Sequence, residues 1–217
     1  MIDQLHRVDR PQAVIISHQR SGTHFLQASL GSHPEVYARG ECLMHLRALR
    51  GDESARHDAS LIEYDIKNKP NVVNLAIVMY SQMPLLYEQW GSLGGIPVIH
   101  LVRDPKNVAR SFAQMEVDKA QYGVRFRPHY KLGEMPLPPA TVTEADVERL
   151  AARITKLQEE YRIRLRRHTP LLELRYEDLT DNRQTNVIPP VLAAKVLHFL
   201  GLPERPLTNT FRKGTQG

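Results

Sequence analysis

The feature that most constrains the fold of this chain is residues 15–30, IISHQRSGTHFLQASL, because the pattern changes there from that of a strand to that of a helix. The β-branched run at 13–16 predicts a buried strand, and the polar residues 17–22 predict a turn. From Thr23 onward, apolar residues recur at helical spacing. The N–H groups of residues 21–24 would then lie at the helix N-terminus beside Arg20, and we expect an anion to bind there.

Two other interpretations of this loop stay open. A Walker-type phosphate loop has the pattern GxxxxGK[ST], with a Ser or Thr that carries magnesium. This loop has one glycine, no lysine, and Arg20 where a phosphate-binding lysine could sit, so an ATP site is less favoured. In the second interpretation, Gly22 only gives the backbone the shape of a strand-to-helix turn, and nothing binds.

Length and charge narrow the classes of protein to which the chain could belong. The 217 residues suit one α/β domain over 1–217, and the net charge of +5 suits anionic ligands but falls short of a nucleic-acid binder. The single Cys42 excludes an intramolecular disulfide framework, and no run of about 18 apolar residues could span a bilayer. We expect a soluble, cytoplasmic protein without nucleic-acid or membrane partners, whose oligomeric state the sequence leaves open.

Further strands and helices alternate along the rest of the chain. Apolar runs predict three more strands, at 72–79, 96–102 and 171–174. Helical spacing and capping residues predict helices at 85–90, from Pro105, from Thr143 and at 191–200. This alternation predicts a parallel sheet of about four or five strands with helices on both faces. Residues 112–143 show no clear period, which is typical of either a functional lid or a solvated loop.

A second group of basic and hydroxyl residues follows the strand predicted at 96–102. Arg103 ends that strand, Asp104 is a suitable N-cap, and Pro105 suits the first turn of the next helix. Ser111 lies about two turns into that helix, because each residue adds only ~1.5 Å of rise. Arg103 and Ser111 could therefore reach one anion from two sides.

Four segments of the chain resemble motifs of the sulfotransferases. QRSGTHF resembles their 5′-phosphosulfate loop, and RDPKNVARS resembles their 3′-phosphate motif, with the same spacing from arginine to serine. YEDL, with a later helix that ends in FLGLP, resembles a third segment, and FRKGTQG resembles the RKGxxG motif. The four occur in the order found in the family and cover about the whole chain. The resemblance implies an enzyme of the bacterial carbohydrate or small-molecule type that depends on 3′-phosphoadenosine 5′-phosphosulfate (PAPS), with a P-loop-NTPase-like fold.

The resemblance also implies a role for each matching residue in moving a sulfuryl group to a hydroxyl group without a metal. Arg20 and the four residues after it would hold the leaving 5′-phosphate: Ser21, Gly22, Thr23 and His24. The 3′-phosphate would be held by Arg103, Ser111, Arg212, Lys213 and Gly214. Phe25 and Tyr176 would flank the adenine.

The group that takes the proton of the acceptor hydroxyl is less defined by the sequence. Cytosolic family members have a histidine on the second core strand, which residues 72–79 lack, whereas carbohydrate-type members use a glutamate that Glu41 could match. Glu41 follows Gly40 at a turn beside a predicted strand end, which suits either a catalytic or a solvated carboxylate. His24 and His100 are the other candidates, although a histidine on a buried strand is more often part of the core.

Two functions from other classes stay open. A P-loop kinase acting on a small hydroxyl compound would need ATP, magnesium and a pair of carboxylates that we cannot place in the sequence. A non-catalytic anion-binding protein would use the loop and leave Glu41 without a role. For a sulfotransferase, we expect a carbohydrate or small-molecule acceptor, whose identity the sequence does not give.

Overall fold

A computed structural model of the chain describes residues 8–44, 67–122, 142–180 and 187–209. Within these ranges there are five strands: β1 (Ala13–Ser17), β2 (Val36–Ala38), β3 (Val73–Met79), β4 (Val98–Val102) and β5 (Leu171–Arg175). The same ranges contain six α-helices: α1 (Thr23–Gly31), α2 (Met83–Trp90), α3 (Pro105–Tyr122), α4 (Glu144–His168), α5 (Tyr176–Thr180) and α6 (Pro190–Phe199). A short 3-10 helix, Tyr80–Gln82, joins β3 to α2.

The five strands form one parallel sheet in the order β2-β3-β1-β4-β5. β1 is central, and its last residue, Ser17, lies opposite Met79 of β3 and Leu101 of β4. The chain first builds the sheet on one side of β1 and then crosses to the other side with β4. The predicted parallel sheet of four to five strands with flanking helices is confirmed.

The core has one layer on each face of the sheet, because successive side chains of a strand point to opposite faces. On one face, Ile15 and Ile77 pack with residues of α1 and α6. On the other face, Ile16 and Val78 pack with residues of α2 and of the C-terminal half of α4. All four side chains are fully buried, and burial of each contributes roughly 1.5–3 kcal/mol. These continuous apolar runs therefore form interior strands covered on both faces.

Two predicted helix starts are confirmed by their capping bonds. The amide of Asn107 donates to Asp104 Oδ1 at 2.9 Å, which makes Asp104 the cap of α3. The amide of Asp146 donates to Thr143 Oγ1 at 3.2 Å at the start of α4. Each cap satisfies one of the N–H groups that a helix leaves unpaired in its first turn, and so fixes where the helix begins.

The prediction of an irregular segment from residue 112 is wrong in its first part, because α3 continues to Tyr122. Val108 and Ala109 of this helix pack against Val147 and Ile154 of α4 in a cluster separate from the sheet. The first half of α4 therefore packs on α3, and only its second half packs on the sheet. The rest of the irregular segment, 123–141, lies outside the described residues. Among those described, no helix has the length and apolar character needed to cross a membrane.

Candidate anion-binding active site

The loops after β1 and β4 lie side by side at the carboxyl edge of the sheet. They meet there because the two strands are neighbours, and Ser17 Oγ donates to the carbonyl of Leu101 at 2.7 Å. The chain reverses its direction across the sheet at β1, and open α/β sheets bind ligands at the carboxyl ends of strands where this reversal occurs. The fold thus brings together the two segments in which the sequence predicts anion sites.

Gly22 is required in the loop after β1 by both its backbone angle and its neighbour. Its φ is 92°, in the left-handed region that side chains disfavour. A Cβ at this position would lie 2.1 Å from Cδ2 of Tyr176, the first residue of α5. The loop can therefore approach α5 closely only with glycine here, and α1 begins at the next residue.

Arg20, Arg103 and Ser111 form one hydrogen-bonded group across the two loops. Arg20 Nε donates to Ser111 Oγ at 3.0 Å, and Arg103 Nη1 donates to the carbonyl of Arg20 at 3.0 Å. Burial, followed by the positive charge of Arg103, lowers the pKa of Arg20 below its usual range. Two cations held this close favour an anion between or beside them. The sequence assigned Arg20 to one phosphate and the other two residues to a second, and the structure joins these two sets.

Two further donors in this region are buried and have no hydrogen-bond partner within the described parts of the chain. They are Ser21 Oγ and Arg103 Nε. Ser21 is fully buried, and Thr23 is 3% exposed. Buried polar groups in proteins nearly always have partners, so unpaired donors deserve an explanation. An anion bound beside these donors would supply the missing acceptors.

Phe25 and Tyr176 are neighbours, as expected if they serve one ligand group. Their ring centroids are 6.1 Å apart with an interplanar angle of 83°. The guanidinium of Arg103 lies 4.7 Å above the centre of the Tyr176 ring, and Tyr176 is only 7% exposed. Tyr176 therefore supports both Gly22 and Arg103 directly. Contact of either ring with an adenine stays a prediction.

His24 lies in the first turn of α1, close to Arg20, with only part of its side chain exposed to solvent. Partial burial of its imidazole lowers its pKa, a contact with Gln27 opposes this, and the charge of Arg20 lowers the pKa further. His24 lies at the helix N-terminus, as the sequence predicted, and its role as a ligand or a base stays a prediction.

Glu41 follows β2 and lies at the same edge of the sheet, beside the end of β3. Gly40, with a φ of 68°, continues the pairing of β2 with β3 by accepting a hydrogen bond from the amide of Ile77 at 2.8 Å. Gln82 Nε2 donates to Glu41 Oε2 at 3.1 Å, and Gln82 Oε1 accepts from the amide of Met79 at 3.0 Å. Gln82, which the sequence analysis did not single out, thus fixes the carboxylate to the strand end next to β1.

His100 is a core histidine, which is the alternative that the sequence analysis considered more common. It is fully buried, and its Nδ1–H donates to Glu173 Oε2 at 3.2 Å while Nε2 accepts from the hydroxyl of Tyr80 at 2.6 Å. Burial lowers the pKa of His100, although Glu173 opposes this. Both ring nitrogens are occupied within the core, so His100 does not fit the role of a base toward an external acceptor.

His18 is a further residue at this edge that the sequence analysis missed. Its Nδ1–H donates to the carbonyl of Gln19 at 2.8 Å, and burial lowers its pKa despite that hydrogen bond. Its ring meets those of Tyr80 and Phe112 edge-on, with centroids 6.1 and 5.8 Å apart. The signal available in the sequence was its position, directly after β1 and two residues before Arg20.

Several residues with predicted roles lie outside the described residues. These are the 3′-phosphate candidates of the C-terminal motif: Arg212, Lys213 and Gly214. Their roles therefore stay predictions.

Comparison with known proteins supports the interpretation drawn from the motifs. No family model matches the chain. A curated relative, nodulation protein H from Rhizobium tropici, is 26% identical over 219 residues, which cover 94% of this chain and 82% of the relative.

Two solved structures share the fold. A sulfotransferase from Alicyclobacillus acidocaldarius matches with a TM-score of 0.55 and 16% sequence identity. The match covers 96% of this chain and 88% of the Alicyclobacillus chain. Mouse sulfotransferase SULT7A1, complexed with PAP, has a TM-score of 0.51 and 17% identity over 94% of this chain. The chain spans only 63% of the length of the mouse enzyme. The predicted resemblance is confirmed, because these structural neighbours are sulfotransferases, and the chain has the sulfotransferase fold.

Proposed function

We propose that the chain is an O-sulfotransferase that moves a sulfuryl group from PAPS to a hydroxyl of a carbohydrate or small-molecule acceptor. The observation that carries the proposal is the group of Arg20, Arg103 and Ser111 at the ends of β1 and β4. It offers two cations and a hydroxyl at one edge of the sheet, which suits a nucleotide with anionic groups at two positions.

The residues of the two loops divide between the two ends of the nucleotide. Arg20 and the N–H groups at the start of α1 would hold the 5′-phosphosulfate, since a helix N-terminus favours negative charge. Arg103 and Ser111 would hold the 3′-phosphate, together with three residues of the C-terminal motif: Arg212, Lys213 and Gly214. Phe25 and Tyr176 would flank the adenine.

The reaction is an in-line displacement at sulfur. The acceptor oxygen forms a bond to sulfur as the bond from sulfur to the bridging oxygen of the 5′-phosphate breaks, which releases 3′,5′-ADP. Negative charge grows on the departing phosphate, where Arg20 and the loop amides would stabilise it. The proton of the acceptor hydroxyl passes to Glu41, whose carboxylate is fixed at the same edge by Gln82.

A ligand panel tests this proposal directly. We expect 3′,5′-ADP and PAPS to raise the melting temperature without a metal, because both carry the two anionic groups that the site is proposed to hold. A ligand at about 100 times its dissociation constant adds roughly 2.7 kcal/mol to the free energy of unfolding. Thermal shift measurements with 3′,5′-ADP, PAPS, ATP and ATP with magnesium give the comparison. A shift with ATP and magnesium but none with 3′,5′-ADP would favour a kinase and refute the proposal.

Arginine variants provide the matched control for this panel. Arg103→Ala should remove most of the shift caused by 3′,5′-ADP, because charged hydrogen bonds to a phosphate are worth about 1.5–3 kcal/mol each. Arg149→Ala removes the same charge from the exposed surface of α4, where Arg149 pairs with Asp146. That variant should keep the full shift.

A further inference from the structure

One peptide group at the start of α3 is held by side chains from two distant elements. The carbonyl of Arg103 accepts from Gln158 Nε2 of α4 at 3.0 Å. The amide of the next residue, Asp104, donates to Glu177 Oε1 of α5 at 2.9 Å. These are the two polar atoms of a single peptide plane, so its orientation is fixed from both sides.

Both side chains are placed by the core rather than by surface ion pairs. Gln158 is 8% exposed and lies one turn from the fully buried Ile154. Glu177 follows the buried Tyr176, and its other oxygen, Oε2, is buried without a hydrogen-bond partner within the described residues. The bond to the Asp104 amide is therefore the one hydrogen bond that we find for this carboxylate among those residues.

The orientation of this peptide decides where two proposed phosphate ligands point. On one side it sets the direction of the Arg103 side chain, which reaches the carbonyl of Arg20 and lies over Tyr176. On the other side it sets the start of α3, which Asp104 caps and which carries Ser111. A rotation of the peptide would move both groups at once, and small misplacements of charged ligands are costly in a preorganised site.

We propose that Gln158 and Glu177 are positioning residues that clamp the Arg103–Asp104 peptide and thereby set the preference of the site for a nucleotide with a 3′-phosphate. This inference rests on the proposed function and deepens it. The role requires no contact of either residue with the nucleotide. Each acts through the peptide that orients Arg103 and Ser111.

The negative charge of Glu177 and its hydrogen bond have opposite effects on phosphate binding, and this difference makes the inference testable. Removal of a carboxylate near an anion site would by itself strengthen binding of any phosphate, because a repulsive charge is lost. Loss of the clamp would instead weaken binding, and selectively for nucleotides that carry a 3′-phosphate. Binding constants for 3′,5′-ADP and 5′-AMP, measured by calorimetric titration, separate these two effects.

We expect Glu177→Ala and Gln158→Met to weaken binding of 3′,5′-ADP by about tenfold or more, which is the effect of losing one buried hydrogen bond. Binding of 5′-AMP should weaken by less than about threefold. Glu177→Gln should stay within about threefold of the parent for both nucleotides, because the amide oxygen still accepts from the Asp104 amide. Gln158→Met keeps the approximate size of the side chain and replaces the amide, including the Nε2 donor, with a thioether. It therefore remains informative if Glu177→Ala folds poorly.

Asp178→Ala is the matched control, because it removes an exposed carboxylate from the adjacent position of the same helix. It should leave the ratio of the two binding constants unchanged. The inference is overturned if Glu177→Ala binds 3′,5′-ADP as tightly as the parent or more tightly, or if both nucleotides weaken equally. A parent protein that does not prefer 3′,5′-ADP over 5′-AMP refutes the proposed function itself, and the specificity role falls with it.

Discussion

Single residues define the closest contacts of the site, and Gly22 has the least freedom among them. Its positive φ and the ring of Tyr176 both exclude a side chain. The motif alone indicated a glycine turn, because such turns have a local signature. It could not indicate Tyr176 as the reason, since that contact joins residues from opposite ends of the chain.

We expect Gly22→Ala to destabilise the protein by about 1–3 kcal/mol and to abolish binding of 3′,5′-ADP. The new Cβ would lie 2.1 Å from the Tyr176 ring, so either the loop or α5 must move. Denaturant unfolding and nucleotide titration measure the two effects. Gly31→Ala, at the other end of α1, is the control, because within 4 Å its Cβ would meet only the Ala38 Cβ, at 3.9 Å. Unchanged affinity in Gly22→Ala would show that the loop does not bind the nucleotide.

We expect Glu41→Gln to lower turnover by about 10²–10⁴-fold and to leave nucleotide affinity nearly unchanged. The amide keeps the shape of the side chain and removes the group proposed to take the proton. Slow hydrolysis of PAPS provides a readout that needs no acceptor. Turnover within a few-fold of the parent, together with a large loss in His24→Ala, would assign the base to the histidine instead.

At the scale of secondary-structure elements, a partly buried polar network connects three strands and a helix. Tyr80 at the end of β3 bonds to His100 of β4, which bonds to Glu173 of β5. Arg162 Nε of α4 donates to the same carboxylate oxygen at 2.6 Å. Burial alone would raise the pKa of Glu173, but Arg162 and His100 together lower it.

We expect the free energy of unfolding to fall as the pH drops below about 6.5. The pKa of His100 is lowered from 6.5 in the folded state, so the unfolded chain takes up the proton first and is favoured in acid. The stability due to neutral His100 is therefore complete above about pH 6.5 and declines below it. Melting temperatures measured from about pH 7.5 to 5.5 should decline less steeply in His100→Gln than in the parent.

Two features help to separate His100 from the other titrating groups. His18 and His24 also have lowered pKa values, so a reduced slope should remain in the variant. The lowered pKa of Glu173 acts only below its ordinary value of 4.5, outside this range. His168→Gln, at the exposed end of α4, should keep the slope of the parent. An equal slope in His100→Gln and the parent would show that His100 does not contribute to the loss of stability in acid.

The extent of α3 shows why some elements could not be predicted. Its residues beyond Phe112 follow no clear apolar period, yet the helix continues to Tyr122. Val108 and Ala109 at its start pack against α4, which lies far along the sequence. Helical stability that comes from tertiary packing rather than from propensity leaves little local signal.

At the scale of the whole molecule, the parallel sheet and its helices could be predicted, whereas the contacts that assemble the site could not. Apolar runs and caps are local, so they indicated strands and helix starts. Gln82, Gln158 and Glu177 act on partners 41, 55 and 73 positions away, and nothing in the sequence pairs them. The strand order that brings the two arginines together is likewise a property of the assembled sheet.

We expect 3′,5′-ADP to slow amide hydrogen exchange at one edge of the molecule only. Protection should appear in residues 20–26 and 103–111, which follow β1 and β4, because the proposed ligand joins these segments. Residues 91–96, which precede β4 at the opposite edge, should exchange at an unchanged rate. 5′-AMP should protect the first segment more than the second. Uniform protection by both nucleotides would indicate general stabilisation rather than two phosphate positions.

Arg20 lies at a position where the backbone and the ligand favour different residues. Its φ is 67°, a conformation that glycine or asparagine adopts more readily, and its charge faces that of Arg103. Selection for heat resistance alone would therefore favour replacement of Arg20, which would remove a central residue of the proposed anion site. An engineering programme for this protein has to measure nucleotide binding as well as melting temperature, because we expect the more stable variant at this position to bind the nucleotide less tightly.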